Sequence, residues 1–282
     1  MALNLPVFYK RTASAIVFAA IMLTGLLWNN LAFLVLVTII NVQCLREYFK
    51  LIQKIEKEVY WPKWLPILTQ ILGLMLLLPY FVYNIVSAMA GDALVSWVFI
   101  LWGLLPVAFT SMFLASGLAK QSFMQAFISS LGGLFYITLS MGCLLFIHQK
   151  DFILPIALIL MIWCNDTMAY LVGSFIGKTP FSPISPKKTW EGTGGGALLT
   201  IIGAGLYGYF SHTYRLVDWM ALALCAAVAG TLGDLVESKL KRMADVKDSG
   251  TIMPGHGGAL DRFDSLLVAA PFAFVYVWFV MN

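Results

Sequence analysis

The chain has 282 residues, of which 60% are hydrophobic and only 11% charged, with a formal net charge of +4. A soluble domain carries roughly 25% charged residues, so this composition excludes an ordinary soluble protein and leaves most of the chain solvated by lipid. The small positive excess suits anionic headgroups, and no nucleic-acid partner is expected.

Apolar runs able to cross a hydrocarbon core of about 30 Å, which takes around 20 helical residues, fall at about nine places. They are 12–28, 30–45, 65–83, 94–115, 124–146, 152–173, 194–210, 217–236 and 265–281. The fold class expected is therefore all-α, a polytopic integral membrane protein. The first run lacks an A-x-A-like cleavage site and is followed almost at once by a second, so it reads as a retained helix. Of the 18 basic residues, only Lys150 and Arg215 fall on the outer segments when the N-terminus is placed inside. That split sets the N-terminus in the cytoplasm and the C-terminus outside. Cys44, Cys143, Cys164 and Cys225 show no C-x-x-C spacing, so they read as small apolar residues with neither a disulfide framework nor a zinc site.

Two halves differ in character. Residues 1–150 read as a scaffold of spans, and residues 151–282 as spans carrying two long motif loops that form the catalytic site. In the first half, the segment 46–63 contains R-E-Y-F-K-L-I-Q-K-I-E-K-E, with apolar positions at helical spacing between charges. It reads as an interfacial amphipathic helix or a solvated connector, and the connector is favoured.

The second half places acids at membrane depth. Asp166 lies inside a span in W-C-N-D-T-M-A-Y, and Asp234 lies near the end of another in G-T-L-G-D-L-V-E-S-K. A carboxylate in hydrocarbon costs several kcal/mol unless it faces protein, water or a cation. Asp166 then either lines a polar cavity or packs against the hydroxyls of Thr167 or Tyr170. Asp234, Glu237 and Ser238 share one helix face at i, i+3 and i+4. Asp261 and Asp264 repeat the i, i+3 spacing at the start of the last helix. Two acidic helix ends at one interface suit a hard divalent cation, which predicts Mg²⁺ bound between Asp234 and Asp261.

Groups that an anion would want surround these acids. Gly255-His256-Gly257-Gly258 leads into a helix N-terminus, where backbone N–H groups favour phosphate, and Lys241, Arg242, Lys247 and Arg262 add positive charge. The other loop holds Ser185-Pro186-Lys187-Lys188-Thr189-Trp190-Glu191-Gly192, followed by Gly194, Gly195 and Gly196. It suits a phosphate-binding loop, although the glycines could equally be a close-packing surface for a membrane helix.

From Ser238 to Asp264 the chain resembles the phosphatidate cytidylyltransferases, or CDP-diacylglycerol synthases. Their signature of S-x-φ-K-R, then K-D, then P-x-H-G-G-φ-x-D-R-φ-D (φ apolar) is matched throughout, with Met253 and Ala259 as atypical but still apolar positions. The S-P-K-K-T-W-E-G segment and the pattern around Asp166 resemble the same family. The resemblance implies transfer of cytidylyl from CTP to phosphatidate, giving CDP-diacylglycerol and pyrophosphate. It implies Mg²⁺ dependence, with K⁺ as a companion ion and metal carboxylates at Asp234 and Asp261, and a homodimer in the cytoplasmic membrane.

On this reading Asp234, Lys247, Asp248, Asp261, Arg262 and Asp264 are catalytic. Asp166, Ser185, Lys187, Lys188, Lys241, Arg242, His256, Gly257 and Gly258 bind substrate. Asp264 is either a partner of Arg262 or a further metal ligand. A CDP-alcohol phosphatidyltransferase would need a D-G-x-x-A-R core, which is absent, and a transporter would need internal symmetry, of which there is none.

Overall fold

The computed structural model describes residues 17–81, 121–252 and 257–281. They form helices α1 (Val17–Leu27), α2 (Asn30–Ile55), α3 (Trp64–Phe81), α4 (Gln121–Gly133), a π-helical segment (Leu134–Leu139) and α5 (Ser140–Lys150). There follow α6 (Ile153–Ile176), the strands β1 (Pro180–Ser182) and β2 (Ser185–Thr189), α7 (Trp190–Ser211), α8 (Leu216–Met243) and α9 (Leu260–Phe279). Five helical stretches are long and apolar enough to cross a membrane: 30–55, 123–150, 153–176, 216–243 and 260–279. The architecture is helical and multi-pass, with one two-stranded hairpin. The span read at 94–115 lies outside the described residues.

The chain divides into two compact units. One comprises Met1–Leu145 with Val246–Asp261, the other Phe146–Asp245 with Arg262–Asn282. The segment 246–261 groups with the first unit.

In the first unit Asn29 starts α2 by accepting the Ala32 N–H at 2.7 Å, the side-chain cap that a helix N-terminus requires. The helix does not stop at the end of its apolar run. Cys44, Leu45, Tyr48, Phe49, Leu51 and Ile52 are all buried along its last turns, so 46–55 is a packed helix end; the solvated-connector reading of the 46–63 segment is corrected for these residues. The apolar spacing between the charges is what buries it. Tyr48 donates from its hydroxyl to the Ser129 carbonyl at 3.0 Å, and its ring lies so close to Gly133 that a Cβ there would stand 2.9 Å away.

In the second unit α6 and α7 pack through small residues. A Cβ on Gly192 would meet the Ala169 carbonyl at 2.7 Å, and one on Gly196 would meet the Ala169 nitrogen at 2.7 Å. This is the close backbone approach that small residues four apart permit between membrane helices. Of the two readings of the glycine run, helix packing holds for Gly192 and Gly196, which lie inside α7. Thr189 caps α7 by accepting the Gly192 N–H at 3.1 Å. The hairpin pairs Pro180 with Thr189 and Ser182 with Ser185, so Ser185–Thr189 is a strand and not an irregular loop. The prolines at 180, 183 and 186 hid this from a pattern reading.

The ends of the second unit are fastened separately. Lys150 donates to the Val277 carbonyl at 2.6 Å, Tyr214 donates to Asp151 at 2.9 Å, and Tyr276 donates to the fully buried Asp218 at 2.8 Å. Arg215 closes on Asp218 with Nε at 3.0 Å and Nη2 at 2.9 Å. Burial, together with the bond to Asp151, pushes the Tyr214 hydroxyl up to about 12. The two basic residues read as outer thus sit at the same end of α5, α8 and α9. The acids of the site lie toward the opposite ends of α8 and α9, because successive helices alternate in direction.

Candidate active site

In the second unit four elements converge on a group of acids. Asp234 and Glu237 stand one turn apart on α8, as the i, i+3 spacing requires. With Asp264, from the first turns of α9, their carboxylate oxygens lie within 4.8 Å of one another. Gly233 makes this possible: a Cβ there would overlap the Asp264 carbonyl and stand 3.0 Å from Ser265 Cα. Asp166 on α6 lies within electrostatic reach of Asp234 and Asp264. Its neighbour Thr167 donates to the Trp163 carbonyl at 2.8 Å and Tyr170 is 74% exposed, so neither hydroxyl holds Asp166 as a packing carboxylate.

Two lysines answer these charges. Lys188, at the end of β2, forms an ion pair with Asp234, and Lys241 pairs with Glu237 at 2.5 Å. The Glu237 side chain is fully buried and that of Lys241 is 16% exposed, so this pair is held out of water. Ser238 reaches Asp234 only at 3.5 Å, too long to count for much.

Glu191 anchors the turn that leads into β1, the partner of the strand carrying Lys187 and Lys188. Its carboxylate accepts the Thr179 hydroxyl at 2.7 Å and the N–H groups of Lys178 and Thr179 at 3.1 Å. The Thr179 hydroxyl above all, with these N–H groups, holds the Glu191 carboxyl down at about 2. Lys187 and Arg242 are exposed and Ser185 is half-buried.

In the first unit a second constellation surrounds Asp261. Its Oδ2 accepts the Ser249 N–H at 2.8 Å and the Gly258 N–H at 2.7 Å, and at 2.9 Å shares with Glu47 the single proton of the Ser249 hydroxyl. Gly257 has φ +83, the left-handed region that glycine adopts without strain, and a Cβ there would also press on Asp261 at 2.5 Å. The buried Glu47 of α2 accepts the Ala259 N–H at 3.0 Å, the Leu260 N–H at 2.8 Å and the Ser249 hydroxyl at 2.8 Å. The N–H groups that the sequence reading offered to phosphate are therefore taken, for Gly258, Ala259 and Leu260, by the chain's own carboxylates. Lys247, Asp248 and Arg262 are exposed. His256 lies outside the described residues.

Residues 9–280 match the Cytidylyltransferase family. The chain belongs to that family. It is 47% identical over 116 residues to the phosphatidate cytidylyltransferase of Bacillus subtilis, covering 40% of this chain and 43% of the relative. The phosphatidate cytidylyltransferase of Synechocystis is 44% identical over 120 residues, 41% of this chain and 40% of the relative. That of Helicobacter pylori is 42% identical over 132 residues, 45% of this chain and 48% of the relative. The matched segments span less than half the length of these curated relatives.

Two residues of this cytidylyltransferase-family chain escaped the sequence reading of the site. Glu237 was visible on the Asp234 face but was not assigned to the site. Glu47 carried a signal too: it falls among the buried positions Cys44, Leu45, Tyr48 and Leu51, where an unpaired carboxylate would be costly.

Proposed function

We propose that the chain transfers a cytidylyl group from CTP to phosphatidate, giving CDP-diacylglycerol and pyrophosphate at the inner face of the cytoplasmic membrane. The observation that carries the reading is the gathering of Asp234, Glu237 and Asp264 within 4.8 Å beside Lys188, in a chain of this family.

The donor set fits Mg²⁺, and the resemblance adds K⁺ as its companion. Three carboxylates offer hard oxygen ligands of the kind Mg²⁺ takes alongside water and phosphate oxygens. Lys188 and Lys241 pair with two of the acids, which leaves an excess of negative charge for a cation to offset. In the second unit Asp234, Asp264 and Glu237 are the residues proposed to hold it; for Asp261, in the first unit, the resemblance implies a ligand role. Bound there, the ion would clamp triphosphate oxygens and offset charge at the α-phosphate.

The chemistry asks little more of the protein. Phosphatidate already presents an ionised phosphate oxygen, so no strong general base is needed. That oxygen forms a bond to the α-phosphorus of CTP as the bond to the β-phosphate breaks, and pyrophosphate leaves with the electron pair. The barrier lies in bringing anions together, which positioning and fixed charge reduce. Lys187, Lys188, Lys241, Arg242, Lys247 and Arg262 screen the phosphates, Asp166 faces the lipid headgroup, and Ser185, Asp248, His256, Gly257 and Gly258 shape the surrounding wall. The acting species is a homodimer.

Incubating the purified protein with labelled CTP, phosphatidate and Mg²⁺ tests the reading. Pyrophosphate and a lipid-soluble cytidine product are expected, in equal amounts. Folded protein that forms neither would overturn it.

A further inference from the structure

Glu47 belongs to neither of the two motif loops, yet it is among the most fully engaged acids of the described residues. It comes from α2, more than 200 positions before its partners, and is 3% exposed. Its two oxygens receive the first N–H groups of α9, from Ala259 and Leu260, and the Ser249 hydroxyl. The Ser249 hydroxyl and N–H also reach Asp261. The chain is shaped to admit the carboxylate. A Cβ on Gly258 would press on Glu47 Cδ at 2.5 Å, and one on Gly250 would meet the same atom at 2.6 Å.

Three physical effects coincide here. A carboxylate at a helix N-terminus is stabilised by the N–H groups and the dipole it faces. Charge-assisted hydrogen bonds in a buried setting are directional and strong. A side chain whose oxygen already accepts two N–H groups and a shared hydroxyl proton, as Asp261 Oδ2 does, has its orientation set by whatever fixes those donors. Ser249 and Gly258 supply these donors, and Glu47 holds the first directly and packs against the second.

We propose that Glu47 is a positioning residue for the reaction. Through Ser249 and the N–H groups of Ala259 and Leu260 it fixes Ser249 and residues 258–260, and with them the orientation of the Asp261 carboxylate. The inference rests on the role given to Asp261 under the proposed function. Glu47 touches no substrate and acts only through that carboxylate.

The test is a double-mutant cycle between Glu47→Gln and Asp261→Asn in the full-length protein, reading cytidylyl transfer and its Mg²⁺ titration, with hydrogen exchange at residues 258–260. Glu47→Gln keeps the size of the side chain but removes one acceptor and the charge. It is expected to cost about ten- to a hundredfold in activity or in the Mg²⁺ needed for half-maximal rate, as when a group orienting a ligating side chain is lost. It should also speed exchange of the Ala259 and Leu260 amides. Added to Asp261→Asn it should cost almost nothing further, because residues acting as a unit are not additive.

Full additivity would overturn the inference, since a general loss of structure would lower both backgrounds alike. A Glu47→Gln protein with wild-type turnover and titration would also overturn it, provided Asp261→Asn is inactive. Should Asp261→Asn keep wild-type turnover, the reading of Asp261 falls and the inference falls with it. If Glu47→Gln does not fold, Ser249→Ala removes the hydroxyl link alone and must show the same non-additivity.

Discussion

Asp264 illustrates how one residue takes its role from its surroundings. In the sequence it was either a partner of Arg262 or a metal ligand. The structure sets its carboxylate within 4.8 Å of Asp234 and Glu237, which favours the second. Asp264→Asn is accordingly expected to lower turnover by at least about a hundredfold, since it removes a hard anionic donor from the proposed cation site, with unchanged melting in detergent; steady-state assay beside thermal denaturation checks both. Glu237 makes a different prediction. Its loss strands Lys241, 16% exposed, opposite a neutral side chain, and breaking a buried ion pair costs about 3–5 kcal/mol. Glu237→Gln should therefore lower stability as well as activity, whereas Glu237→Gln with Lys241→Met should recover part of the stability. Differential denaturation of the three proteins decides it.

At the scale of elements, the α6–α7 contact and the hairpin beside it depend on small residues and one exposed acid. A methyl group on Gly196 would lie 2.7–2.9 Å from Ala169 backbone atoms, and backbone cannot step aside as a side-chain tip can. Gly196→Ala is expected to destabilise by about 1–3 kcal/mol, the usual cost of overpacking, measurable as a lower midpoint of thermal unfolding. The hairpin carries a pH dependence. Glu191 is held at about 2 against an ordinary 4.5, so its folded-state pKa is depressed. Its contribution to holding the 178–179 turn is fully present above pH 4.5 and is lost as pH falls toward 2. Exchange of the Lys178 and Thr179 amides, corrected for intrinsic rate, should rise on acidification through that window and stay flat in Glu191→Gln.

Across the whole molecule, metal removal and sidedness are the decisive measurements. Chelation is expected to abolish cytidylyl transfer and added Mg²⁺ to restore it, with helix content by circular dichroism unchanged. For orientation, a thiol introduced at Lys54 should react with an impermeant reagent only from the inner side of sealed vesicles, and one at His212 only from the outer side.

Much of this architecture was legible because lipid imposes a simple rule: every span must be apolar and helical. That rule located α2, α3, α6 and α8 to within a few residues at their starts. It failed where helices leave hydrocarbon, since α2 continues to Ile55, α8 to Met243, and α9 begins at Leu260; hydropathy registers transfer from water and is blind to capping and hydrogen bonding. The acids of the site were readable for a related reason, as carboxylates set among apolar residues need a purpose. What spacing could not supply was partnership between distant segments. That Glu47 of α2 would cap α9, that Gly192 and Gly196 would serve a helix contact, and that Asp264 would join Asp234 and Glu237 were decided only when the chain folded. Hydrogen bonds and close packing join groups that no local pattern relates.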